Sequence, residues 1–260
     1  TPDGRYRRTQ VAPSGPSVTG ETDVVGIARF LHRNAQIDDA HWLQLLDDQL
    51  LPAAPDHPAL LAYTAQHAAA VGRDDRVLAV LLQIDDRTPA QQVLLLIAAV
   101  RLGRTDLLPE LLSSTDLSAG DAFDRFLVAV ETAPESSVNI VLNEELRHRY
   151  LGDDRRTRLV RSIWPRLTSI DLLCRAAEDI AYLDPDAGAG LLLDRWPHPG
   201  SMPDAAAELL LDWGVRRDRL GPYVRERLRR TAERDDLHAM ERVIPGIESV
   251  ARGDQPALLL

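Results

Sequence analysis

Apolar side chains recur along most of this 260-residue chain at intervals of three and four residues. That spacing places them on one face of an α-helix rather than on alternate faces of a strand. Residues 93–102 are apolar around most of the helix circumference, which predicts a buried, central helix. The most strand-like run, residues 138–142, fits a helix equally well. The pattern therefore predicts an all-α fold from residue 23 onward, with roughly eleven to thirteen helices of ordinary length.

Glycines and prolines punctuate the predicted helices. Gly72, Gly103 and Gly152 follow apolar stripes, where a helix commonly ends in a left-handed residue. Pro89 and Pro222 precede stripes, where a missing N–H is tolerated. The links between helices are short, so successive helices are expected to pack antiparallel. We predict antiparallel helical hairpins that stack as an irregular α-solenoid or a helical bundle.

The chain divides by composition near its start. Residues 1–22 are rich in Pro, Gly, Ser and Thr and show no helical period, which indicates an extended arm or linker. Residues 23–260 form the predicted all-helical domain, either undivided or divided near residue 152.

Composition excludes several classes of chemistry. All 30 basic residues are arginine, so this sequence offers no lysine for a Schiff base or a P-loop. A single cysteine, Cys174, excludes a disulfide or a multi-cysteine zinc site within this sequence. No apolar run approaches the length of a membrane span, and we expect a cytoplasmic location. The net charge of −10 and the low aromatic content disfavour nucleic acid as a partner.

Two segments spaced 31 residues apart are similar to each other. Residues 68–75 contain Gly72 followed by Arg and two Asp, and residues 98–106 contain Gly103 followed by Arg, Thr and Asp. Each reads as helix, Gly-Arg turn, helix, and Gly72 and Pro89 have the spacing of a turn glycine and a closing proline. This pattern resembles the tetratricopeptide helical hairpin over about a quarter of the chain. The second segment departs from it, with Gly120 where the proline would stand. The resemblance implies a helical-repeat domain whose concave groove binds a protein or peptide.

Two groups of residues are candidates for partner binding. The first lies beside the repeat-like turns, on helices whose other face is predicted core: Tyr63, His67, Arg101 and Arg104. The second lies in the segment 147–166, which has seven arginines against two acidic residues. On a helix its basic side would carry Arg155, Arg158 and Arg161. This side is either a docking surface for an acidic partner or a solvated face with ordinary ion pairs.

Catalytic patterns are sparse. Glu145 and His148 are three residues apart, which is the unit from which di-iron helical bundles are built. The nearest second unit is Asp235 with His238, which has Asp in place of Glu. Paired aspartates can hold Mg²⁺ for a diphosphate, or can cap helices. The pairs are Asp38-Asp39, Asp47-Asp48, Asp74-Asp75, Asp85-Asp86, Asp153-Asp154 and Asp235-Asp236.

The sequence favours a non-catalytic interaction, scaffold or regulatory domain without a cofactor, binding a protein or peptide. Opposite charge in the N-terminal half and the middle of the chain is compatible with pairing between copies. The alternative is an all-α metal-dependent enzyme that uses Glu145 and His148, or an aspartate pair.

Overall fold

The computed structural model describes residues 26, 28, 37–213 and 217–233. The predicted arm at residues 1–22 lies outside the described residues, as do Asp235 and His238. Twelve α-helices and no strand occur in the described part, which confirms the all-α fold. None of these helices is both long and apolar enough to cross a membrane. The chain forms two compact units with a boundary between Arg87 and Thr88, so the division predicted near residue 152 falls inside the second unit.

The first unit contains three described α-helices. They are α1 (Asp39–Leu45), α2 (Pro58–Ala70) and α3 (Asp74–Leu81). A π-helical turn (Leu46–Leu50) and a 3₁₀ turn (Leu51–Ala53) follow α1. Asp38 caps α1 by accepting a hydrogen bond from the amide of His41. The helices α2 and α3 form a hairpin through Gly72, whose positive φ of 73° is the left-handed helix end that the sequence predicts.

The second unit contains nine described α-helices. They are α4 (Pro89–Arg101), α5 (Leu108–Ser114), α6 (Ala122–Thr132), α7 (Glu135–His148), α8 (Asp153–Ile163), α9 (Ile170–Leu183), α10 (Pro185–Arg195), α11 (Asp204–Trp213) and α12 (Arg217–Glu233). Short 3₁₀ turns lie at Trp164–Arg166 and Pro199–Ser201. Thr88 begins α4 with a complete capping box. Val93 and residues 95–100 are buried, which confirms the predicted buried helix.

Helices of the second unit pack in two rows. In one row α4 contacts α6 and α6 contacts α8; in the other α5 contacts α7, α7 contacts α9 and α9 contacts α11. Hydrogen bonds within these rows join residues just over thirty positions apart in sequence. Arg158 and Asp124 are separated by 34 residues, and Arg175 and Asn143 by 32. This arrangement is that of stacked antiparallel hairpins.

Two predicted helix ends are wrong. Gly152 has a φ of −65° and caps the start of α8, and the left-handed residue after α7 is Arg149, with a φ of 54°. A side chain is tolerated there because Arg149 is held by contacts with α9. Pro222 lies inside α12 rather than at its start. The apolar stripe that begins after Pro222 therefore marked only the later part of a longer helix.

A glycine sets the distance between α9 and α10. A Cβ added to Gly188 would lie 2.5 Å from the Cβ of Ala181 and 2.7 Å from the carbonyl oxygen of Ala177. Both distances are too short for real Cβ contacts, so the two backbones can approach closely only because position 188 has no side chain. Gly190, on the same helix, has no atom within 4 Å of such a Cβ.

We expect Gly188→Ala to lower the free energy of unfolding by about 1–3 kcal/mol, because the helices must separate to accept the methyl group. The matched control is Gly190→Ala. It should be neutral or stabilising by about 0.5–1 kcal/mol, since alanine favours a helix and the site is open. Urea unfolding of both variants checks the prediction. Equal stability of the two variants would contradict the close packing of α9 on α10.

Candidate functional site

The first group of predicted binding residues does not form one exposed surface. His67 is buried in the first unit at 4% exposure, where its ring stacks on Trp42 at 5.4 Å. Its Nδ1 lies 2.6 Å from Oδ1 of Asp39. His67 therefore packs in the core, contrary to its predicted place on a binding surface. Tyr63, four residues earlier, is half-buried.

Arg101 and Arg104 belong to the second unit and are exposed. Arg101 is the last residue of α4. The Arg104 guanidinium donates to both carboxylate oxygens of Asp106, at 3.0 and 2.8 Å. That guanidinium keeps the pKa of the Asp106 carboxyl below its ordinary value. The arginine of this Gly-Arg turn is thus paired within the turn itself, through two hydrogen bonds to one aspartate.

The second group lies on α8, and two of its three arginines are already engaged. Arg155 donates to the carbonyl of Ser118 at 3.0 Å. Arg158 donates to Asp124 at 2.8 Å, and both guanidinium groups lie over the ring of Phe123. Arg161 is exposed and makes no hydrogen bond or ion pair within the described residues. A docking surface for an acidic partner needs exposed arginines that no acidic side chain of the same chain already neutralises. Of the three arginines, only Arg161 is of this kind.

Glu145 and His148, the predicted metal pair, lie in different environments. Glu145 is buried at 2% exposure, and both its carboxylate oxygens accept from the amide of Leu151, at 3.0 and 3.2 Å. His148 is exposed, stacks on Tyr150 and has its Nε2 3.6 Å from Glu144. The structure therefore does not bring the predicted pair together.

No group of three or more His, Cys, Asp or Glu side chains in the described part is arranged to hold a metal ion. Three of the aspartate pairs lie at helix starts instead, at α1, α3 and α8. Acidic side chains are stabilised at that end by free amides and the helix dipole.

A buried arginine organises the turn between α7 and α8. Arg156 is 1% exposed, the most deeply placed charged group among the described residues. Its Nε donates to Asp179 on α9 at 2.6 Å, and its Nη1 donates to the carbonyl of Leu151 at 3.3 Å. Its Nη2 donates to Asp153. Each nitrogen of the fork thus has a different partner.

Arg149 completes this cluster from the turn. Its Nη2 donates to the second oxygen of Asp179 at 2.9 Å, and its guanidinium lies 5.6 Å from the ring centre of Tyr182. These two contacts fix the left-handed backbone of Arg149. The residues Glu145, Arg149, Asp153, Arg156 and Asp179 are called the Arg156 cluster below.

Within the Arg156 cluster Glu145 has the weakest compensation of charge. Its nearest cation is Nη1 of Arg156 at 3.9 Å, a group already shared with two aspartates. Burial raises the pKa of Glu145 to about 7, against the opposing effects of the Leu151 amide and Arg156, and the charge of Asp179 raises it further.

A cavity of about 240 Å³ lies beside Glu145. It is called the Thr115 cavity, and its walls come from α5, α6, α7, α8 and the two turns at 115–118 and 150–152. Its apolar lining consists of Leu112, Leu117, Phe126, Val141, Leu151 and Leu159.

The other half of the lining of the Thr115 cavity is mainly polar: Ser113, Thr115, Asp116, Ser118, Glu145, Tyr150 and Arg155. Glu145 belongs to the lining, as do Asp116 and Arg155. Thr115 is 9% exposed, and its buried Oγ1 has no hydrogen-bond partner within the described residues. Leaving a buried hydroxyl unpaired is unfavourable, so a ligand that bonds to it would gain affinity. A cavity in which apolar side chains and polar groups converge is typical of a binding site.

Sequence reasoning missed both Arg156 and Thr115. Arg156 had a usable signal, since it lies three and four residues before Leu159 and Val160 and so continues the buried stripe of α8. An arginine in phase with an apolar stripe must find buried partners. Thr115 had no comparable signal, because its unpaired hydroxyl is visible only once the surrounding helices are placed.

Comparison with known proteins supplies no relative for this site. No protein-family model matches the chain, and neither a curated protein nor a solved structure matches it. The function is therefore inferred from the geometry of the described residues.

We expect Arg156→Lys to lower the free energy of unfolding by about 2 kcal/mol or more, because one ammonium cannot replace three nitrogens directed at different partners. The matched control is Arg158→Lys on the exposed side of the same helix, where the loss should be about 0–1 kcal/mol. Denaturant unfolding of both variants checks this prediction. If Arg156→Lys lowered the free energy of unfolding no more than Arg158→Lys does, the guanidinium of Arg156 would not be needed for stability.

Glu145 should make the stability of the protein depend on pH. Because its pKa is about 7 when folded and near 4.5 when unfolded, the folded state binds more protons between these values. Stability contributed by the protonated group is therefore present at low pH and is lost as the pH rises toward 7. The loss is about 3 kcal/mol at most.

The Glu145→Gln variant has no titrating group at position 145, so its stability should not fall for this reason as the pH rises. Its stability relative to the original chain should rise between about pH 5 and about pH 8, which urea unfolding at both values measures. The difference between the two proteins in the free energy of unfolding excludes the contributions of the other titrating groups, because both proteins contain them. An equal difference at both pH values would contradict the raised pKa.

Proposed function

We propose that the chain is a non-catalytic interaction module whose second unit binds a protein or peptide by accepting one anchor side chain in the Thr115 cavity. The observation that carries this proposal is a cavity with six large apolar side chains in its lining and, beside them, a buried hydroxyl without a hydrogen-bond partner within the described residues. Interfaces commonly concentrate their binding energy in a few anchors that fill such pockets.

The size of the Thr115 cavity suits a side chain. A cavity of about 150 Å³ binds benzene in a protein core, and this one is larger, at about 240 Å³. It can therefore take a long aliphatic or an aromatic side chain. The stacked rows of helices support the same function, because such scaffolds present long surfaces to extended partners.

The predicted docking arginines indicate the face of α8 along which a bound peptide would run. Arg155 belongs to the lining of the cavity, and Arg158 and Arg161 follow it at intervals of three residues on α8. A peptide anchored in the cavity can continue along this face. We expect acidic residues in the partner beside the anchor, where they would meet Arg161. A repeat domain of tetratricopeptide type would use an extended surface in the same way.

The test is a selection of peptides from a displayed random library, with two variants for comparison. Leu117→Phe adds volume at the cavity wall, and Leu102→Phe makes the same exchange at an exposed position outside the lining. Peptides selected on the original chain should lose about tenfold or more in affinity for Leu117→Phe, since one anchor commonly contributes over 1.4 kcal/mol. They should bind Leu102→Phe unchanged.

Melting curves first establish that both variants are folded. Thr115→Val serves as a second cavity variant, because it removes the hydroxyl while keeping the shape. Failure to select any peptide, or selected peptides that bind all variants equally, would overturn the proposal.

A further inference from the structure

We infer that the Thr115 cavity selects an anchor whose apolar stem ends in an ammonium group, the chemistry of a lysine side chain in the partner. This inference rests on the proposed function and specifies the partner of that same site. Three features of the cavity support it: an excess of carboxylates, a hydroxyl that can act as a further acceptor, and apolar side chains in the lining.

The Arg156 cluster contains one carboxylate more than it has guanidinium groups. Asp153 and Asp179 each pair directly with Arg156, and Asp179 also pairs with Arg149. Glu145 faces the same Arg156 from 3.9 Å, without a hydrogen bond from it. Both its oxygens accept from the neutral Leu151 amide, so a cation in the cavity would supply the charge that Glu145 lacks.

The other charged groups around Glu145 do not remove this excess. On α7, Glu144 lies beside the exposed His148. At the cavity lining, Asp116 and Arg155 carry opposite charges; hydrogen bonds from Ser118 and, to a smaller extent, the charge of Arg155 lower the pKa of Asp116. These two groups offset one another, which leaves the buried carboxylate as the group that selects for charge.

Thr115 supplies a second acceptor in the same lining. Its hydroxyl oxygen can accept a hydrogen bond, and an ammonium group has three donors and no acceptor. The Thr115 hydroxyl and the Glu145 carboxylate are thus two acceptors of the lining toward which an ammonium could donate. The apolar walls, among them Leu112, Val141 and Leu159, would enclose the methylene stem. The chain itself contains no lysine, so its own copies cannot present this side chain.

Three small molecules test the charge preference directly: n-butylammonium, which copies the lysine side chain, neutral n-butanol and anionic butyrate. Titrations followed by NMR at about pH 8 keep Glu145 mainly ionised and the amine protonated. We expect n-butylammonium to bind about tenfold or more tightly than n-butanol, since hydrogen bonds to charged groups contribute about 1.5–3 kcal/mol. Butyrate should bind most weakly.

The variants separate charge from shape. Glu145→Gln should reduce the preference for n-butylammonium over n-butanol to about twofold or less, while n-butanol binds as before. The matched control is Glu144→Gln, which changes a neighbouring glutamate outside the cavity lining and should keep the preference. Thr115→Val should weaken n-butylammonium binding with the carboxylate intact, so the inference stays testable if Glu145→Gln does not fold.

Failure of this inference differs from failure of the proposed function. If n-butanol binds as tightly as n-butylammonium, or if selected peptides share an apolar anchor, the charge preference is overturned while anchoring in the cavity stands. If selected peptides are insensitive to Leu117→Phe, the anchoring itself is overturned. Peptides that share a lysine and lose affinity for both Leu117→Phe and Glu145→Gln support both.

Discussion

The burial of one guanidinium group constrains the centre of the second unit. A charge as deeply placed as that of Arg156 is strongly unfavourable unless every donor has a partner. Its partners come from the turn after α7, from the start of α8 and from α9, so these three elements must keep a fixed arrangement. The same turn contributes Leu151 to the wall of the Thr115 cavity, and the amide of Leu151 holds Glu145. The requirement to satisfy a buried arginine thus also shapes the candidate binding site.

Arginine performs a second structural task in this chain, which is to satisfy backbone carbonyls at helix ends. Arg166 donates to the carbonyls of Val130, Glu131 and Ala133 at the end of α6. Arg87 and Arg195 donate to the carbonyls of Leu81 and Leu167. The last carbonyls of a helix have no partner within it, so a forked side chain from a neighbouring element can replace a terminal cap. Five of the seven arginines between residues 147 and 166 are used in this way or in ion pairs, which explains the basic segment largely without a ligand.

Local patterns predicted most of the fold, and their limits follow from what they measure. The three-and-four spacing gave the helices, and an apolar circumference correctly placed α4 in the core, because both depend on neighbours along one helix. The end of α7 was misassigned to Gly152 because Arg149 keeps its left-handed conformation through Asp179, thirty residues away. His67 looked like a surface residue since its partners, Trp42 and Asp39, belong to another helix. The candidate site depends on such distant pairs, so only the in-phase position of Arg156 could have indicated it.

The absence of lysine has a consequence for behaviour in alkaline solution. A lysine ammonium begins to lose its proton near pH 10, whereas a guanidinium remains charged beyond pH 12, both approximate values. Against the effect of burial, the pKa of Arg156 is raised further by its hydrogen bonds to Asp179 and Asp153, so its buried contacts keep their full hydrogen-bonding capacity across the alkaline range. In a chain whose interhelical contacts were made by lysine, those contacts would titrate away together. Here the contacts of Arg156 with Asp179, which join α8 to α9, persist in base.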